Sequence, residues 1–150
     1  MAYRRMLLKE LIRNDHFLTL PHSSQCLYMH LLLEADDDGF VSNPLSVVRM
    51  TRTTVEDLKN LLNVEYILVF SSGVILIKNW CQHNKIRRDR YRSSILTERR
   101  YITKLEDGTY KVLENCKCYC NQLATTCQTD GCQPDNLFDA NLDDSWVPNG

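Results

Sequence analysis

Two unbroken runs of branched and aromatic residues, Tyr66–Phe70 (YILVF) and Val74–Trp80 (VILIKNW), stand on either side of Ser71-Ser72-Gly73. Residues of this kind favour extended backbone, and a glycine in so short a gap supplies the turn that folds one strand onto the other. The spacing predicts an antiparallel hairpin. Ahead of it the apolar period changes from strand to helix. In HSSQCLYMHLLLEADDDGF, apolar positions fall at Leu27, His30/Leu31 and Leu32/Leu33, behind Ser23 or Ser24 as cap. This predicts a helix of about three turns, ending in an acidic turn at Gly39.

Phe40–Ser42 has room for only a short strand. Pro44 then opens a second helix, with Leu45, Val48 and Met50 on one face. Thr53 followed by Glu56 fits a capping box, and Val55, Leu58, Leu61 and Leu62 make the stripe of a third helix. An amphipathic stretch, Leu7–Leu20, would pack across these elements. Beyond the hairpin, YRSSILTERRYITKL is weakly helical and GTYKVL supplies a closing strand near Leu113. Helix, short strand, helix, tight turn, helix, hairpin is the order of an α+β winged helix-turn-helix: a three-helix core with a small antiparallel hairpin as its wing, over residues 1–113.

Charge divides the chain at the same place. Residues 1–113 hold 17 Lys/Arg and 13 Asp/Glu, a balance of +4, whereas 114–150 hold one lysine and six acids, a balance of −5. A basic body is followed by an acidic segment whose Asn, Asp, Gln and Thr content predicts a largely disordered tail. Five of the seven cysteines (Cys116, Cys118, Cys120, Cys127, Cys132) lie in that tail. They could supply zinc thiolates, although C-x-C-x-C followed by C-x₄-C is not the usual C-x₂-C pairing. With no secretion signal and no long apolar run, the expectation is a cytoplasmic chain with thiols and no membrane partner. In the tail, QPDNLF (Gln133–Phe138) resembles a sliding-clamp docking peptide, and Trp146 is a second candidate anchor.

The strongest site signal is HNKIRRDRYRSS, in which Lys85, Arg87, Arg88, Arg90 and Arg92 face a single acid, Asp89. Guanidinium groups pair bidentately with phosphate oxygens, and releasing counterions from DNA gives such clusters their affinity. Tyr91 adds a stacking face or a hydroxyl, and Lys78 extends the patch towards the hairpin. Arg49 and Arg52 would anchor phosphates ahead of the third helix, where Thr54, Lys59 and Asn60 are candidate base readers. Arg4 and Arg5 would form a basic arm. Double-stranded DNA is the expected partner.

Other chemistries fail on spacing. Glu34, Asp36, Asp38 and Gly39 begin a calcium-loop pattern, but its twelfth position is Leu45, where a bidentate glutamate is needed. The adjacent carboxylates lack partners for two-metal hydrolysis, the histidines are scattered, with His30 read as core, and no phosphate-cradling G-x-x-x-x-G-K-[ST] occurs. The expectation is a chain that is not an enzyme and needs no cofactor.

SSQCLYMHLLLEADDDGFVSNPLSVVRM and GVILIKNWCQHNKIRRDRYRSS together resemble the N-terminal winged-helix domain of phage replisome organisers, the DnaD-like replication initiation proteins. The resemblance spans about residues 1–113 and implies DNA binding during phage replication in a bacterial host. Members of that family usually continue into a C-terminal domain, which is not expected here. Two other readings share the fold: a module that binds and inhibits a host replication protein, polymerase or defence (CRISPR) effector, and a transcription regulator. Apolar surface on the N-terminal stretch would support a homodimer.

Overall fold

The computed structural model describes residues 4–113; the acidic segment 114–150, with its cysteines, its QPDNLF peptide and Trp146, lies outside the described residues. The architecture is α+β. Two one-turn helices, α1 (Lys9–Ile12) and α2 (Asp15–Leu18), precede α3 (His22–Glu34), β1 (Phe40–Val41), α4 (Pro44–Thr51) and α5 (Val55–Asn63). The hairpin follows as β2 (Ile67–Val69) and β3 (Ile75–Ile77), then α6 (Trp80–His83), a 3-10 turn (Thr97–Tyr101) and a second hairpin, β4 (Ile102–Lys104) and β5 (Tyr110–Val112). β3 lies between β1 and β2 in an antiparallel sheet, with Leu76 opposite both Phe40 and Leu68.

The amphipathic stretch expected over Leu7–Leu20 is not one helix. Asn14 interrupts it, its Oδ1 accepting from Phe17 N at 2.9 Å to start α2 and from the Tyr66 hydroxyl at 3.2 Å. The interruption turns Phe17 into the core, edge-on to Tyr28 and Tyr66. Ser23 and Ser24 do not cap α3. They lie in its first turn and donate to Asp57 Oδ1 at 2.6 and 2.8 Å, joining α3 to α5.

Asp57 itself sits in the third position of α5, and its Oδ2 accepts from Thr54 N at 2.9 Å. The cap of α5 is therefore the Thr54/Asp57 pair, one residue beyond the Thr53/Glu56 pair that the spacing suggests, and Asp57 is buried. Burial alone pushes the Asp57 carboxyl up, but donors from Ser23, Thr54 and Ser24 outweigh it and hold it below the usual range. Pro44 opens α4 as its first residue, with Asn43 Oδ1 accepting from Ser46 N at 3.2 Å. Leu45, Val47 and Val48 face inward, while Met50 points to solvent.

Both strands of the first hairpin are buried at every position, because elements on either side cover them. Ser72 Oγ donates to Glu98 of the 3-10 turn at 2.5 Å, which ties the tip of the hairpin to the later chain. The stretch read as weakly helical, Tyr91–Leu105, is extended, then 3-10, then the strand β4. The second hairpin docks on the first through Tyr110 N, which donates to Lys78 O at 3.0 Å.

Candidate nucleic-acid interface

The acidic turn between α3 and β1 organises the surface around the basic stretch. Asp36 shapes it locally, Oδ1 accepting from Asp38 N and Phe40 N at 3.0 Å. Gly39 closes it at φ +94°, and a Cβ there would come within 2.6 Å of Trp80 Cγ, so both backbone and packing demand glycine. Trp80 seals the site from below, its indole N–H donating to Asp37 O at 2.9 Å.

Asp37 and Asp38 are buried and aim their carboxylates at distant chain. Asp37 Oδ1 pairs with Arg5 Nη1 at 3.3 Å, and its Oδ2 accepts from Arg92 N at 3.0 Å. Asp38 Oδ1 accepts from the Tyr91 hydroxyl at 2.6 Å, while its Oδ2 accepts from Ser94 N at 2.7 Å and Arg99 Nε at 2.8 Å. Two buried carboxylates thus fasten the segment that follows the basic turn by its backbone and its tyrosine. Burial, together with the hydrogen bond to Asp38, raises the Tyr91 hydroxyl above its ordinary pKa. The sequence alone suggests only a helix ending in an acidic turn at these residues. The sequence signal for their role is an acid-rich turn in the same short chain as an arginine-rich segment.

Arg5 is no arm. Its guanidinium is buried, donates to Ala35 O at 2.7 Å and stacks 4.9 Å from the centre of the Trp80 ring. Arg4, by contrast, is exposed.

The turn itself is solvent-facing, with Lys85, Arg87, Arg88, Arg90, Tyr91 and Arg92 all exposed. Arg87 Nε pairs with Asp89 at 3.1 Å, a local contact that positions the arginine at little energetic gain. The other expected contributors are dispersed. Thr54 and Asn60 are occupied within the fold: the Thr54 hydroxyl bonds Asp57 at 3.2 Å, and Asn60 Nδ2 donates to Ser24 Oγ at 3.1 Å. Lys59 and Arg49 are partly buried, and Lys78 pairs with Glu65 at 3.4 Å. Arg52 is exposed at the end of α4, at φ 56°. Because β2 and β1 form opposite edges of the sheet, the strand that α5 feeds lies two strands away from the turn that holds the basic segment. The structure joins Tyr91 and Arg92 of the basic turn to Asp37 and Asp38.

Beneath this surface, His83 is buried where His30 is only half-buried. His83 Nδ1 accepts from Leu8 N at 2.8 Å, which leaves the proton on Nε2, donated to the Tyr28 hydroxyl at 2.9 Å. Burial pulls its pKa down to about 4. The neighbouring Asn84 accepts from Met6 N at 2.8 Å through Oδ1, and its buried Nδ2 has no acceptor.

Comparison with protein-family models, curated proteins and solved structures returns no match. Among the described residues, no helix is long and apolar enough to cross a membrane, and no group of His, Cys, Asp and Glu is placed to hold a metal ion.

Proposed function

We propose that residues 4–113 form a winged helix-turn-helix that binds double-stranded DNA through the Lys85–Arg92 turn, as the DNA-binding module of a phage replication initiator. In this reading α3, α4 and α5 are the helical core, β1–β3 the small sheet and β2–β3 a short wing. One observation carries it: five cations stand on a single exposed turn, countered by one acid, and buried carboxylates elsewhere hold the chain that follows. Side chains so placed meet phosphates, which supply affinity without reading sequence. Arg52 adds an exposed cation at the end of α4. With Thr54 and Asn60 engaged internally, base reading by α5 falls to a minor role. The replication assignment rests on the sequence resemblance.

The test is anisotropy of a labelled duplex across a salt series, with wild-type protein beside an Arg87→Gln, Arg88→Gln, Arg90→Gln triple variant. Losing three phosphate contacts flattens the salt slope by about 3. Exposed side chains of this kind alter stability by less than about 0.5 kcal/mol, so the comparison is between folded proteins. Equal affinity and slope in the two proteins would falsify the assignment.

A protein-binding role, inhibiting a host nucleic-acid machine, is favoured by one observation. Ile95, on the fastened segment beside the arginines, is 98% exposed. A basic surface with an apolar side chain standing from it also fits an acidic protein partner. A stoichiometric, DNA-free complex with a host replication or defence protein, lost on Ile95→Asp, selects this reading.

A further inference from the structure

We propose that the cleft beside the basic turn binds one phosphorylated nucleotide with an unpaired base, its phosphate held by Lys85 and Lys104 and its base lying against Tyr91. The proposal rests on the DNA-binding reading above and extends it from duplex to unpaired nucleic acid.

The cleft, of about 590 Å³, opens between α6 with the segment after it and the β4–β5 hairpin. That volume lies within the roughly 300–1,000 Å³ typical of small-ligand sites. Its charge is settled by what each wall group already does. Asp37 and Asp38 line it, yet every one of their carboxylate oxygens accepts from a protein donor, and Arg5 and Arg99 match their charge. Lys85, from the segment after α6, and Lys104, from β4, are exposed and form no ion pair among the described residues. Two uncompensated ammonium groups over satisfied carboxylates leave a site for an anion, and a phosphate suits them.

The remaining walls suit a base. Tyr91 is 38% exposed, and its hydroxyl is held by Asp38 at 2.6 Å and Arg99 Nη2 at 3.0 Å, so the ring cannot swing away. Ile86 and Ile102 continue the apolar lining. A fixed tyrosine face with aliphatic neighbours is a stacking platform for any base. In a duplex both faces of a base are covered by its neighbours, so only an unpaired one reaches such a platform. The same chemistry describes a free nucleotide and a nucleotide within a single strand.

The experiment is anisotropy of a labelled thymidine octanucleotide with the full chain, in competition with thymidine monophosphate and with thymidine. Lys104→Gln is compared with Lys111→Gln, an exposed lysine on the same hairpin outside the cleft. The expected result is about tenfold weaker octanucleotide binding in Lys104→Gln, from loss of one charge-assisted contact. Lys111→Gln should bind as wild type, and duplex affinity should be retained in both. Displacement by thymidine monophosphate, with thymidine much weaker, identifies a free nucleotide. Lys104-dependent binding that the monophosphate does not displace identifies a nucleotide in a strand. Equal losses in Lys104→Gln and Lys111→Gln, no loss in either, or equal competition by thymidine and its monophosphate overturns the proposal. Duplex binding lost in the arginine triple variant but kept in Lys104→Gln leaves the DNA-binding reading standing whichever way the cleft is decided.

Discussion

Gly39 is where local backbone and long-range packing make the same demand. Its positive φ closes the acidic turn, and the Trp80 ring occupies the space a side chain would need. Gly39→Ala therefore combines a left-handed alanine, costing about 1–2 kcal/mol, with overpacking of about 1–3 kcal/mol. The expected loss, read by urea denaturation, is about 3 kcal/mol, and a loss under about 0.5 kcal/mol would show that the turn relaxes freely. Half of this was legible. A glycine after three acids marks the end of a helix, so the turn could be read from local chemistry, but the tryptophan that fills it stands 41 positions later and leaves no local trace. The same contrast holds at Asp57. Its place near the start of α5 was visible, but its burial follows from Ser23 and Ser24, which fold back from another helix.

At the scale of elements, legibility follows the range of the interactions that make them. The first hairpin and α4 carry their own signals, Ser71-Ser72-Gly73 in one and Pro44 in the other; α4 forms where expected, and the hairpin forms with a shorter second strand, β3 ending at Ile77 and Trp80 opening α6 instead. The 3-10 turn and β4 do not, since residues 97–104 are shaped by contacts with Ser72, Asp38 and the facing strand β5. The basic segment belongs to the same group. Its cations were plain in the sequence, yet its conformation is fixed by carboxylates 53 to 56 positions away. Removing one of them should release it. Asp38→Ala leaves Tyr91, Ser94 N and Arg99 without their acceptor, and trypsin should then cut after Arg90 or Arg92 at least several-fold faster than in wild type, while the rest of the domain stays resistant. Unchanged cleavage would mean that the segment does not depend on the acidic turn.

Across the whole molecule, both ends of the described chain close on the same region. Met6 N and Leu8 N reach Asn84 and His83, and the C-terminal hairpin reaches α6 through Tyr110, whose hydroxyl accepts from Cys81 Sγ at 3.2 Å. His83 is buried because this closure occurs, so its protonation reports on the fold as a unit. The unfolded chain takes up a proton near pH 6.5, whereas the folded protein resists until about pH 4. Between these values the unfolded state binds more protons, so the stability contributed by neutral His83 is present above pH 6.5 and is lost as pH falls towards 4. The loss amounts to about 3 kcal/mol. Denaturation midpoints measured from pH 7 to 4 should fall accordingly and level out in His83→Gln; parallel profiles for the two proteins would remove His83 as the cause.

By fixing the backbone at Arg92 and Ser94, the Asp37–Asp38 turn places the entropy of ordering this segment within the folding transition. A partner arriving at the arginines then meets a finished surface. In the proposed DNA-binding role, capture would then proceed by diffusion and charge steering, with no disorder-to-order step between first contact and the bound state.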